Sequence, residues 1–130
     1  MTILAIRTDN PLAELYLYED NNQLAQIKWQ AHLKLAETIH LKIEEILKRS
    51  SKSLADIDGI AIFSGPGSFT GLRIGISTAN ALAYSLGVPI VGVGGSGWIA
   101  AGLEKIHGGN NDYTILPDYD RPASTTKPSK

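Results

Sequence analysis

The chain has no cysteine, one methionine and two phenylalanines in 130 residues. Without cysteine there is no disulfide framework, no thiol nucleophile and no cysteine metal site. An excess of charge is missing too: 12 Lys and Arg against 13 Asp and Glu leave a formal net charge of −1. That balance offers no basic footprint for direct tight binding of tRNA or DNA. No apolar run has membrane-spanning length and no signal peptide opens the chain, so a cytoplasmic protein is expected. Histidine is scarce. His32 and His40 are about two helical turns apart, which places them poorly as a chelating pair, and His107 is remote in sequence. No nucleophile-elbow sequence surrounds Ser68. The residues therefore point to no catalytic group and no metal ligand.

What is present is a glycine-rich stretch, Gly65-Pro66-Gly67-Ser68-Phe69-Thr70-Gly71, between a strand-like run (Ile60 to Phe63) and a helix-like run reaching Leu86. Glycines there let the backbone turn tightly and let another group approach closely. A helix N-terminus behind such a loop offers free N–H groups and a positive dipole end, the position of a phosphate site. A Walker A loop needs Gly-Lys-Ser/Thr, whereas Leu72 and Arg73 follow Gly71. A dinucleotide fingerprint needs its third glycine one residue earlier and belongs after the first strand. Close packing of a helix on a sheet accounts for the same glycines as well as anion binding does.

Turn chemistry and periodicity divide the chain into βββαβαβα. Strands are expected at Thr2 to Thr8, Leu12 to Glu19, Gln23 to Gln30, Ile57 to Phe63 and Ile90 to Val93. Helices are expected from about Ala31 to Arg49, Phe69 to Leu86 and Ser96 to Ile106. A meander followed by βα units implies one mixed five-stranded sheet with helices packed on it, an α/β domain of ribonuclease-H-like or actin-like layout. Residues 1–108 form the domain. Residues 109–130, ending in a Pro-, Ser-, Thr- and Lys-rich run, are expected to be an extended or disordered tail.

Both long helices carry more apolar surface than a small domain needs. On the second, Gly71, Gly75, Leu82 and Leu86 share a face expected on the sheet, with Thr78 and Ala79 beside it. Arg73, Ser77, Asn80 and Tyr84 fall opposite, and Ile76 flanks them. On the first, Leu33 and Leu41 lie off the main stripe (Leu35, Ile39, Ile43, Ile46, Leu47), near Glu37 and His40. Leu33, Glu37, His40, Leu41, Arg73, Ile76, Ser77, Asn80 and Tyr84 are the expected partner seam.

The run Ser64 to Gly75, continuing Ile76-Ser77-Thr78-Ala79-Asn80-Ala81-Leu82-Ala83 to Val88-Pro89-Ile90-Val91-Gly92-Val93, resembles the TsaB (YeaZ) family. The resemblance covers about residues 1–106. It implies an actin-like fold without independent catalysis, and pairing with a TsaD-type catalytic subunit through the two helices. That partner would hold the metal and transfer a threonylcarbamoyl group to N6 of the adenosine 3′ of the tRNA anticodon. Metal and nucleotide would thus belong to partner subunits, with none bound by this chain alone. A TsaE-type ATPase would join for turnover, and tRNA would be met only through the complex. Two departures stand out. The family's first strand runs into Asp-Thr-Ser, where this chain has Arg7-Thr8-Asp9, a cation in place of a carboxylate. The family also has a second actin-like domain, so this chain reads as a short form. A small nucleotide-binding enzyme and a homodimeric scaffold paired through the same seam are the alternatives.

Overall fold

The computed structural model describes residues 1–67 and 70–118. Ser68 and Phe69 of the glycine loop, and the tail from residue 119, lie outside the described residues. Strands β1 (Thr2–Arg7), β2 (Leu12–Glu19) and β3 (Asn22–Gln30) form an antiparallel meander. Helix α1 (Leu35–Arg49), strand β4 (Ile57–Phe63), helix α2 (Thr70–Leu86), strand β5 (Ile90–Val93) and helix α3 (Trp98–His107) follow. The sheet order is β3-β2-β1-β4-β5, with β4 parallel to β1 and β5 parallel to β4. The mixed five-stranded sheet expected from the sequence is the one observed.

Side-chain alternation sorts the two faces. Gly59, Ala61 and Phe63 of β4 point to α3: a Cβ on Gly102 would lie 2.7 Å from that of Ala61, and one on Gly59 would lie 2.8 Å from Ile106. Ile60 and Ile62 therefore point the other way, to the side that α1 and α2 cover. Register carries the sorting across the sheet, because Ala61 pairs with Ala5 and Ala5 with Tyr16. Leu4, Ile6, Leu15 and Leu17 thus join Ile60 and Ile62 beneath the two long helices, all fully buried. Covered on both faces, β1 and β4 read as continuous apolar runs rather than alternating ones. The stripe expected on α1 is the buried one: Leu35, Ile39, Ile43, Ile46 and Leu47. Trp29 of β3 adds a hydrogen bond to that helix, its Nε1 donating to Thr38 Oγ1 at 2.9 Å.

One stretch differs from the sequence reading, and a second gains detail. Helix α1 starts at Leu35 rather than near Ala31. The Ala31 and His32 N–H groups both donate to Pro11 O, and His32 has φ +43, so these residues close a turn before the helix begins. The stretch 110–118, placed in the expected tail, has no helix or strand but is tied to the domain. Strand β5 is the sheet edge, and its unpaired groups need partners. Asp112 supplies two: its N–H donates to Ile90 O at 2.8 Å, and its Oδ2 accepts from Gly92 N–H at 2.9 Å. Further on, Ile115 is buried against the core. We call residues 110–118 the strap.

Candidate functional site

The described part of the glycine loop is already engaged by the strap. Gly67 N–H donates to Asp118 O at 3.0 Å and Asp118 N–H donates to Ser64 O at 2.7 Å. Gly65 has φ +123, and a Cβ there would sit 2.1 Å from Asp118 O, so only glycine fits. The Gly67 N–H is thus spent on the chain itself and is not free for a phosphate. Farther along, Thr8 Oγ1, fully buried, donates to Gly71 O at 2.7 Å, and a Cβ at Gly75 would lie 2.0 Å from that same hydroxyl. Glycine at 75 therefore serves the close approach of α2 to the end of β1. Thr70 is exposed and Gly71 buried at the head of α2.

Arg7, Phe63, Trp98 and Tyr16 line up on the α3 side at the end of β1. The Arg7 guanidinium grips Asp9 through Nε (2.7 Å) and Nη2 (3.1 Å) and lies 4.0 Å from the centre of the Phe63 ring. Phe63 and Tyr16 each meet Trp98 edge-on with centroids 5.9 Å apart. Tyr16 OH donates to Glu14 Oε1 at 2.5 Å. The hydrogen bonds to Asp9 raise the Arg7 pKa further, and burial, then the Glu14 bond, pushes the Tyr16 hydroxyl up. A magnesium-nucleotide would want a free carboxylate here. The strand instead carries a cation, and the nearby Asp9 carboxylate is neutralised by it, so this donor set does not fit such a group. No cluster of three His, Asp or Glu able to hold a metal occurs among the described residues.

The expected seam divides. Leu33 (85% exposed), Glu37, His40 and Leu41 on the first helical segment are exposed, as are Arg73, Ser77 and Tyr84 on α2. Ile76 is not: it is 3% exposed and faces the sheet with Gly71, Leu72, Gly75, Ala79 and Ala83. Asn80 is partly buried and committed to the strap, donating from Nδ2 to Ile115 O and accepting from Ile115 N–H, both at 2.9 Å. The helix is rotated from the expected face, and Leu82 and Leu86, placed on the sheet by the wheel, are only half-buried. The small residues 71, 75, 79 and 83, spaced by four, mark the side that meets the strands closely. That signal was available in the sequence but was masked by apolar residues around most of the helix.

An apolar groove of about 250 Å³ lies between α1 and α2. His40, Ile43 and Glu44 line it from α1, and Thr78, Ala81, Leu82 and Ser85 from α2. Of the expected seam residues only His40 lines this groove. The four α2 residues were missed because they lie on the flank beside the one chosen.

Residues 29–108 match the family model described as TsaD, tRNA N6-adenosine threonylcarbamoyltransferase. A tRNA N6-adenosine threonylcarbamoyltransferase of Geotalea uraniireducens is 56% identical over 63 residues, 48% of this chain and 18% of that protein. The tRNA threonylcarbamoyladenosine biosynthesis protein TsaB of Escherichia coli is 38% identical over 98 residues, 72% of this chain and 40% of the relative. Among solved structures, YeaZ from Pseudomonas aeruginosa superposes with TM-score 0.66 at 28% identity, covering 72% of this chain and 43% of that one. The chain thus spans less than half the length of each of these three proteins.

Proposed function

The chain belongs to the TsaD/TsaB family and is of the TsaB (YeaZ) type, and from that premise we propose that it is a non-catalytic partner subunit in tRNA threonylcarbamoyladenosine formation. It binds a TsaD-type catalytic subunit, which transfers the threonylcarbamoyl group to N6 of the tRNA adenosine. The observation that carries this reading is the uncovered apolar groove between α1 and α2, flanked by exposed Leu41 and edged by His40 and Glu44. An apolar trough between two helices suits a helix laid into it, with polar groups at the rim. Exposed Glu37, Arg73 and Ser77 are candidate rim residues.

The groups that would serve an enzyme at the end of β1 are engaged with one another, which favours a supporting role. The same groove could receive a second copy of the chain, making a homodimer the form adopted without its partner. A TsaE-type ATPase and tRNA come to the chain only through the complex. The test is Ala81→Arg, a change at an exposed helical position in the groove. We expect the variant to keep its Tm and to lose co-purification with the TsaD-type subunit of the same organism. Undiminished co-purification would reject the groove as the seam.

A further inference from the structure

A second exposed apolar patch lies on the other flank of α2. Tyr84 is 91% exposed, Tyr113 78% and Leu116 79%. Tyr84 and Tyr113 line a shallow hollow of about 360 Å³ with Val88, Pro89 and Asn111, and no charged side chain lines it. Two exposed tyrosines lining one hollow, with an exposed leucine three residues along the strap from Tyr113, mark an interaction surface, and tyrosine is a frequent energetic anchor in one.

Tyr113 is held in that position. Its φ is +66, a left-handed backbone that a bulky residue rarely adopts. Asn111 Oδ1 accepts from Tyr113 N–H at 2.8 Å and from Ile90 N–H at 3.2 Å, which ties the turn to β5. Asp112 is bonded to Ile90 and Gly92 on one side, and Asn80 clamps the Ile115 main chain on the other. The ring is presented by a turn fixed at both ends, so little ordering is left to be done when a partner arrives.

We propose that Tyr113 and Leu116 of the strap, with Tyr84, form a second contact patch for the same TsaD-type subunit that the α1–α2 groove receives. The proposal rests on the reading of the groove given above. Continuity argues for this occupant. Ala81, Leu82 and Ser85 line the groove, while Ala83 and Tyr84 of the same turns line the hollow. A subunit lying along α2 covers both. The uncharged hollow suits an apolar protein surface rather than a phosphate backbone.

The experiment is calorimetric titration of the full chain with the TsaD-type subunit, using Tyr113→Gly, Leu116→Ala and Ala81→Arg. Glycine adopts positive φ freely, so Tyr113→Gly keeps the fold with a Tm close to that of the unaltered chain, and Leu116→Ala, which adds no backbone freedom, separates lost side-chain contact from a loosened turn. We expect at least a tenfold weaker Kd for Tyr113→Gly, a severalfold weaker Kd for Leu116→Ala, and a separate loss for Ala81→Arg. If Tyr113→Gly and Leu116→Ala bind like the unaltered chain while Ala81→Arg fails, the patch is refuted and the groove stands. If the unaltered chain does not bind, both readings fall. If Tyr113→Gly abolishes only self-association, the patch belongs to a second copy of the chain and the proposal is overturned.

Discussion

Replacing Ile76 with alanine separates the two faces of α2. The side chain is 3% exposed and sits over the sheet in the central cluster, so truncation removes most of a buried aliphatic group and leaves a cavity. Buried Ile→Ala changes cost about 2–5 kcal/mol, the spread set by how far the surroundings collapse. Neighbours Gly75 and Ala79 have little side chain to move into the space, and Leu72 is itself fully buried, so we take about 3 kcal/mol. For a domain of this size each kcal/mol lowers Tm by roughly 3–5 °C, giving a fall of about 10 °C. Calorimetric melting reads the stability, and titration with the TsaD-type subunit below the melting transition reads the affinity. We expect the loss in stability with Kd unchanged within about threefold. A variant that melts normally but fails to bind would put Ile76 on the seam and refute the orientation of α2.

Gly75→Ala places a methyl 2.0 Å from Thr8 Oγ1, so α2 must shift off β1; we expect a Tm loss and a weakened Thr8 bond to Gly71 O, checked by melting Thr8→Val alongside. Asn80→Ala leaves the Ile115 N–H and C=O without their 2.9 Å partners, at a cost of about 1–3 kcal/mol, and the Ile115 and Asp118 amides should exchange faster with solvent. Glu19 is held at about 2 from an ordinary 4.5, chiefly by the hydrogen bond from Lys52, then by the N-terminal amine and Thr2. A depressed carboxylate stabilises above its unfolded pKa and ceases to as pH falls from about 4.5 to about 2. Glu19→Gln should therefore flatten the acid limb of stability against pH, measured by urea midpoints from pH 6 to 2.

The fold was legible because its punctuation is local. Asn10-Pro11, Asp20-Asn21-Asn22 and Gly87 with Pro89 each stop an element by their own backbone preferences, and the period of the apolar residues between them names the element. The orientation of α2 was less legible. A helix apolar around most of its circumference leaves a wheel several solutions, and only the spacing of residues 71, 75, 79 and 83 picks the side that touches strands. The docking of the strap was not legible for a different reason. Asn111 and Asp112 look like solvent-facing tail residues in a sequence, yet their side chains accept hydrogen bonds from the open edge of β5. Of its apolar residues only Ile115 is buried, and nothing in the sequence separates it from exposed Tyr113 and Leu116. The arginine at position 7 was visible as a departure from the family, but its grip on Asp9 and its stacking on Phe63 required the register of β1 with β4.

Reconstituted tRNA threonylcarbamoylation is the most direct measurement of the central claim. The TsaD-type subunit of the same organism is supplied with threonylcarbamoyl-adenylate and tRNA, with this chain, without it, or with Ala81→Arg in its place. A supporting subunit predicts modification that depends on the unaltered chain, falls with the groove variant, and is nil with the chain alone. Equal modification with and without the chain, or modification by the chain alone, would contradict it.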